Sequence, residues 1–182
     1  MRILRAIVTV CLVGLLLVFA LVLWLETSNV AATQAHRAGV GWFLAAVRDR
    51  SVEIQSATIV PADLNESGLL HKGVHEYDAM CVICHGAPGR EPSVIGRGLN
   101  PVPPKLDTAE VQAYSDAELY WIITHGIRMT GMPAFGPTHD ERTIWSLVAF
   151  LRHLPGMSAQ RYAAMVEAAS GHQNSGTHPH TH

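Results

Sequence analysis

The stretch AMCVICHGAPG, residues 79–89, places Cys81, Cys84 and His85 within five positions. Three kinds of site use two cysteines at this spacing: a structural zinc site, a redox dithiol and a covalently attached haem. The chemistry that each requires, and the part of the cell in which the motif lies, must distinguish them.

A structural zinc site normally has four protein ligands, usually supplied by a second pair of Cys or His residues. The chain contains no second C-x-x-C, and His71 and His75 precede the cysteines without forming a recognised finger. A thioredoxin-like dithiol needs a strand–helix context. Here the sequence predicts the end of a helix followed by a loop rich in Gly and Pro at 86–107.

Covalent haem attachment needs two thiols two residues apart and an adjacent imidazole, and Cys81, Cys84 and His85 meet this requirement. A sixth iron ligand is expected in GIRMTGMPAFG, where Met132 lies in a loop constrained by Gly131 and Pro133. A thioether is a soft ligand, and a His/Met pair raises the reduction potential of haem iron. Met129 is the competing ligand, and the neighbouring glycine and proline favour Met132.

The leader of the chain predicts a membrane-spanning helix. Arg2 and Arg5 precede 20 uncharged residues, Ala6 to Leu25, which at about 1.5 Å each match a hydrocarbon core of about 30 Å. A cleavable signal has a shorter apolar core. We therefore expect an uncleaved anchor, although VAA at 30–32 offers a cleavage site. The positive-inside rule places the residues after Glu26 outside the cytoplasm.

The remaining composition limits the class of protein. A chain of 182 residues has room for one ordinary domain with appendages. A net charge of −2, with no run of Lys and Arg, argues against nucleic-acid binding. Three cysteines, one of them Cys11 in the leader, exclude a disulfide-rich scaffold.

The periodicity predicts an all-α protein with no strands. In the segment 33–65 the residues Val40, Phe43, Leu44, Val47 and Ile54 share one helical face, which we expect to pack on the following domain or to lie on the membrane surface. A compact domain is predicted at 66–157. We expect three helices in it. The first begins after a cap at Asn65 or Ser67, and the second begins at a Ser115–Glu118 capping box and ends at Gly126. The third begins at HDERTIW and ends before Pro155–Gly156.

Together CVICHG, MTGMPAFG and IWSLVAFLRHLP resemble class I c-type cytochromes, particularly bacterial membrane-anchored forms with one haem. The resemblance covers about residues 66 to 157 and implies three to five helices around one haem c. It implies thioether bonds from Cys81 and Cys84 and axial iron ligands at His85 and Met132. It further implies a helix crossing between Gly73 and Phe150 supported by Tyr77 and Trp145, and a proline carbonyl, from Pro88 or Pro104, that orients the His85 imidazole.

The domain organisation that follows has four parts: a cytoplasmic N-terminus and signal-anchor helix at 1–32, an amphipathic linker at 33–65, a cytochrome c domain at 66–157, and an extension with a His-rich tail at 158–182. The expected function is electron transfer at the outer face of a bacterial inner membrane. The haem would be reduced by a dehydrogenase and oxidised by a terminal oxidase or another cytochrome, with no catalysis by the protein itself.

Two other functions remain open. In the first, Met132 leaves the iron and the haem acts as a small-molecule sensor or catalyst. In the second, the tail histidines His172, His178, His180 and His182 collect a metal ion. Scattered cations at Arg97, Lys105 and Arg128 could form a local docking patch, although from Glu66 onward eight Lys and Arg face eleven Asp and Glu.

Overall fold

The computed structural model describes residues 1–34 and 38–174, and these residues form helices joined by loops, with no β-strand among them. The helices are α1 (Arg2–Thr27), α2 (Ala38–Ser56), α3 (Leu69–Glu76), α4 (Val82–His85), α5 (Val94–Arg97), α6 (Ala109–Gln112), α7 (Asp116–His125), α8 (Glu141–His153) and α9 (Ala159–Asn174). A π-helical turn, Tyr77–Cys81, joins α3 to α4. The predicted all-α fold is confirmed.

Helix α1 belongs to a separate compact unit that ends at residue 34. None of its residues is buried within the protein, and its 26 residues are long and apolar enough to cross a membrane. A signal sequence near the N-terminus has the same properties. The prediction of an apolar N-terminal helix is therefore confirmed, and its retention in the mature protein stays a prediction.

The core of the second unit is built on the crossing of α3 and α8. At Gly73 an added Cβ would lie 1.9 Å from the Ser146 carbonyl oxygen and 2.9 Å from Phe150 Cβ, so the two helix backbones are in direct contact. Tyr77 packs on Phe150 with ring centroids 4.9 Å apart. The crossing predicted between Gly73 and Phe150 is confirmed, with Tyr77 supporting it.

Trp145, the second predicted support, belongs to the same core cluster as Tyr77 and Phe150. It is buried, but its ring stacks on Tyr120 of α7 at 4.3 Å. Trp145 therefore fixes α7 against α8, while Tyr77 supports the glycine contact.

The ends of α7 follow the sequence prediction. Ser115 accepts a hydrogen bond from the Glu118 backbone N–H, and the Glu118 carboxylate accepts one from Ser115 N–H, which completes the capping box. Gly126 ends the helix with φ of +65°, a left-handed conformation that suits glycine. Helix α8 ends at His153, before Pro155–Gly156, as predicted.

The predicted cap of α3 is wrong. The residue before the helix is Gly68 with φ of +81°, and neither Asn65 nor Ser67 caps it with a side chain. Two successive turns precede the helix: Glu66 N–H donates to the Asp63 carbonyl oxygen, and Leu69 N–H donates to the Glu66 carbonyl oxygen. The glycine turns the chain into α3, and this role depends on backbone geometry that composition does not reveal.

The linker segment does form a helix, α2, which packs against α7, but not through the predicted face. Its buried residues are Val52 and Ser56, while Phe43 and Val47 of the predicted apolar face are more than half exposed. Tyr114 donates a hydrogen bond of 2.6 Å to Asp49 and joins α2 to the loop before α7.

Helix α9 packs against α3 and belongs to the same core. Tyr162 is 2 % exposed and its ring lies 6.2 Å from Phe150 and 6.4 Å from Tyr77. Ala169, two turns further on, is also buried. The start of the predicted C-terminal extension is therefore an integral helix. Residues 175–182, which hold most of the predicted His-rich tail, lie outside the described residues.

Candidate functional site

The C-x-x-C-H motif forms the end of a continuous helical segment. The segment runs from α3 through the π turn into α4. It ends at Gly86, whose φ is +71°. A Cβ at Gly86 would lie 2.7 Å from the Arg90 carbonyl oxygen, so the loop folds back on the helix end. The buried Tyr77 hydroxyl donates a hydrogen bond of 2.7 Å to the Gly86 carbonyl oxygen. The motif is thus held from both sides by the core.

His85 is oriented by a proline carbonyl. Its Nδ1 lies 2.8 Å from the Pro104 carbonyl oxygen. A carbonyl can only accept, so Nδ1 carries the proton and Nε2 keeps a free lone pair. Burial lowers the pKa of His85, partly opposed by this hydrogen bond, and therefore favours the neutral imidazole that binds metals. Of the two candidate prolines, the structure selects Pro104.

Cys81 differs from the reactive cysteine of a redox dithiol. Burial raises the pKa of the Cys81 thiol to about 12, with a smaller effect from Cys84. Reactive dithiol cysteines instead have lowered pKa values, because the thiolate is the nucleophile. An added Cβ at Gly96 would lie 2.8 Å from Cys84 Cα, so α5 rests directly on the second cysteine. Among the described residues no group of three His, Cys, Asp or Glu side chains is arranged to hold a metal ion, which gives a zinc site no further ligands.

The loop after α7 places its two methionines differently. Met129 is 81 % exposed with φ of +61°, whereas Met132 is half-buried and packs against the core. Met132 N–H donates to Thr130 Oγ1 at 3.1 Å, and its carbonyl accepts from Ile127 N–H at 3.2 Å. The loop also folds onto the end of α7, where a Cβ at Gly126 would lie 2.6 Å from the Met132 carbonyl oxygen. Of these two methionines, Met132 is therefore the one that packs against the core.

A short hydrophobic contact links this loop to the cysteine motif. A Cβ at Gly131 would lie 2.5 Å from Leu99 Cδ1, and Leu99 follows α5, which rests on Cys84. Cys81 and Met132 also pack against the same core cluster. The donor set of two thiols, an imidazole with free Nε2 and a half-buried thioether fits haem c.

Sequence reasoning missed a polar cluster beside the motif. Asp78, three residues before Cys81, accepts a hydrogen bond of 2.7 Å from the Tyr162 hydroxyl and forms an ion pair with Arg90. The partners lie 84 and 12 residues from Asp78 in the chain, so no local pattern could have revealed them. The cluster joins α9 to both sides of the motif.

The three cations Arg97, Lys105 and Arg128, considered as scattered charges or as a local docking patch, differ in whether they have partners in the structure. Lys105 Nζ lies 3.9 Å from Glu91, and the Arg97 guanidinium donates to the Pro92 carbonyl oxygen. Arg128 is exposed. Two of the three cations therefore have polar partners within the domain.

The described helices and the π turn that leads into the C-x-x-C-H motif form an all-α domain. Residues 68–151 match the family described as cytochrome C oxidase, cbb3-type, subunit III. The match spans 84 of the 182 residues and includes Cys81, Cys84, His85 and Met132. This part of the chain is a class I c-type cytochrome domain. No curated protein matches the chain.

Proposed function

We propose that the protein carries single electrons through one covalently bound haem c while α1 anchors it to a membrane. Cys81 and Cys84 would form the thioether bonds, and His85 and Met132 would occupy the two axial positions of the iron. When bound, the haem supplies a one-electron ferric/ferrous couple. Support comes from the family match over residues 68–151 and from the donor set described above.

The hydrogen bond from His85 Nδ1 to the Pro104 carbonyl oxygen carries this proposal. It fixes the tautomer and the ring plane, and it leaves Nε2 free to donate its lone pair. A histidine with only a packing role would not require Nε2 to remain unprotonated. The half-buried Met132 would complete a His/Met pair, which leaves no open iron position for a substrate.

The partners would be other redox proteins at the outer face of a bacterial inner membrane: a dehydrogenase as donor and a terminal oxidase or cytochrome as acceptor. The matching family is described as an oxidase subunit, so membership of an oxidase complex belongs to this proposal. Contacts between electron-transfer proteins are generally small and transient.

Replacement of the two methionines tests the axial assignment. Met132→Ala should abolish the weak near-infrared absorption band of sulfur–iron ligation and lower the reduction potential, because the soft thioether favours ferrous iron. The matched control Met129→Ala should change neither, since that side chain is in solvent. The measurements are absorption spectroscopy and redox titration of the haem protein.

Survival of the band in Met132→Ala with its loss in Met129→Ala would reverse the assignment. The double variant Cys81→Ser with Cys84→Ser should retain no haem after denaturation.

Rapid binding of carbon monoxide by the native reduced protein would contradict the pure carrier function and favour the sensor or catalyst, since such binding requires an open or easily opened iron position.

A further inference from the structure

Helix α2 has two apolar faces of different character. Small residues and the buried Val52 and Ser56 form the side that faces the domain, and Gly41 and Ala45 on this side are partly buried. At about 100° per residue, the stripe of large apolar side chains lies about 150° away from this side. The stripe consists of Val40, Phe43, Leu44, Val47 and Ile54.

Among the residues that the structure describes, none covers the large apolar stripe. Its five side chains are 38 % to 58 % exposed, and four of them, from Val40 to Val47, lie within about two turns of the same side of the helix. A soluble domain usually turns such a stripe inward, because removing apolar surface from water is the main favourable contribution to packing. Here the small-residue face packs inward, so the stripe is available to a second apolar surface.

The length of the chain before α2 indicates what that surface is. Only ten residues, 28 to 37, separate the end of α1 from the start of α2. Fully extended, they reach about 35 Å. If α1 crosses a bilayer, the start of α2 must therefore lie within about 35 Å of the bilayer surface. Four of the five stripe residues lie in the half of α2 that is nearer α1 in the chain.

We propose that the large apolar stripe of α2 lies in the lipid–water interface of the membrane that α1 crosses. The inference rests on the proposed anchoring by α1. An amphipathic helix in this position buries its apolar face at the boundary between headgroups and acyl chains, with polar residues toward water. Arg48 and Arg50 flank the stripe on opposite sides, where their side chains can reach the headgroups.

The binding depends on apolar burial more than on charge. Arg48 contacts Asp49 at 2.7 Å, and Arg50 contacts Glu53 at 2.7 Å, so each guanidinium is already compensated. The opposite face of α2 is joined to the domain through Val52, Ser56 and the Tyr114–Asp49 hydrogen bond. A stripe fixed in the interface would hold α7 and the rest of the cytochrome domain in one orientation toward the membrane.

Spin labels on the full-length haem protein in zwitterionic lipid nanodiscs test this. Cys81 and Cys84 are consumed by the haem in this protein, so labels can be attached at Phe43→Cys or Trp42→Cys in a Cys11→Ser background. Position 42 is the matched control, because Trp42 is 73 % exposed yet lies off the stripe. The label at 43 should collide several-fold more with lipid-soluble oxygen than with a water-soluble nickel chelate, and the label at 42 should show the reverse.

A label on the native Cys11, in α1, separates the two proposals. If Cys11 lies at bilayer depth while positions 42 and 43 are equally exposed to water, the interface inference is wrong and the anchor stands. If Cys11 is itself in water, the anchoring fails and the inference fails with it. Spectral broadening at 43 that disappears on dilution with unlabelled protein would instead assign the stripe to a second copy. Val47→Cys repeats the measurement on the same face if Phe43→Cys does not fold, as judged by its haem spectrum.

Discussion

At the scale of single residues, the absent side chain at position 73 decides how closely two helices approach. The Ser146 carbonyl oxygen occupies the space that a Cβ at Gly73 would need, at 1.9 Å. Phe150, one turn further along α8, packs against Tyr77 at the start of the π turn in a tilted arrangement of the two rings. The same contact therefore sets the α3–α8 crossing and the position from which the cysteine motif begins.

We predict that Gly73→Ala destabilises the domain by about 1–3 kcal/mol or more, since backbone and not a flexible side chain must move. This exceeds the gain of about 1 kcal/mol that alanine brings to a helix interior. Gly171→Ala is the matched control: it lies in α9 with open space around it, so only the propensity gain is expected. Chemical denaturation of the haem protein measures both, and equal stabilities of the two variants would refute the contact.

The Tyr77 hydroxyl provides a second prediction at this scale. Tyr77→Phe leaves the buried Gly86 carbonyl without its donor, and we expect a loss of about 1–3 kcal/mol. Tyr120→Phe should be near neutral, because Tyr120 is half-buried and its stacking on Trp145 needs only the ring. Denaturation midpoints of the two variants compare them directly. A Tyr77→Phe protein as stable as the parent would show that the hydrogen bond does not support the motif.

At the scale of elements, the sequence predicted the features that depend on residues close together in the chain. Ser115 and Glu118 lie within one turn, so their capping box is readable from the sequence, as is the end of α7 at Gly126. The Met132 loop could be located because glycine and proline restrict its backbone. The C-x-x-C-H motif supplies three of the four residues of the proposed site, and it is readable from the sequence because these residues are nearly adjacent in the chain.

Features that depend on distant partners were not predictable. The periodicity of α2 correctly predicts a helix, but the rule that large apolar residues face inward chose the wrong face. The partly buried Gly41 and Ala45 lie on the same side as Val52 and Ser56, and the large apolar residues are left on the other side. Likewise, Pro104 could be chosen over Pro88 only once the fold had brought it to His85.

Helix α9 illustrates the same limit and gives an element-scale prediction. It lies beyond residue 151, where the family match ends, yet Tyr162 is buried against Tyr77 and Phe150. Tyr162→Ala should cost about 3–5 kcal/mol, as for other large aromatic deletions. Tyr162→Phe should cost about 1 kcal/mol, because it removes only the hydrogen bond to Asp78 and leaves Arg90 paired with that carboxylate.

The neighbouring exposed residue is the control for this series. Arg161→Ala should change stability by less than about 0.5 kcal/mol. Thermal or chemical denaturation of the three variants gives the comparison. If Tyr162→Ala is no less stable than Arg161→Ala, then α9 is an appendage and not part of the core.

At the scale of the whole molecule, the two units have separate tasks in the proposed function. The cytochrome domain provides the haem site, and α1 determines where that site works. A carrier held at a membrane surface searches for partners in two dimensions, so its contacts can stay small and brief. Cleavage of α1 would release the domain and remove that restriction, and the fate of α1 is therefore the decisive property at this scale.

We predict that α1 remains in the mature protein. Its apolar run of 20 residues exceeds the roughly 7–15 residues of a signal-peptide core. The mass of the purified haem protein should therefore include residues before Thr33, and detergent but not high salt should release it from membranes. Ala32→Leu replaces a small residue that cleavage at VAA would require. In this variant the mature protein should still contain the leader and should still be retained in membranes. A native protein lighter by the leader, with the leader restored in Ala32→Leu, would identify α1 as a cleaved signal and leave the cytochrome domain soluble.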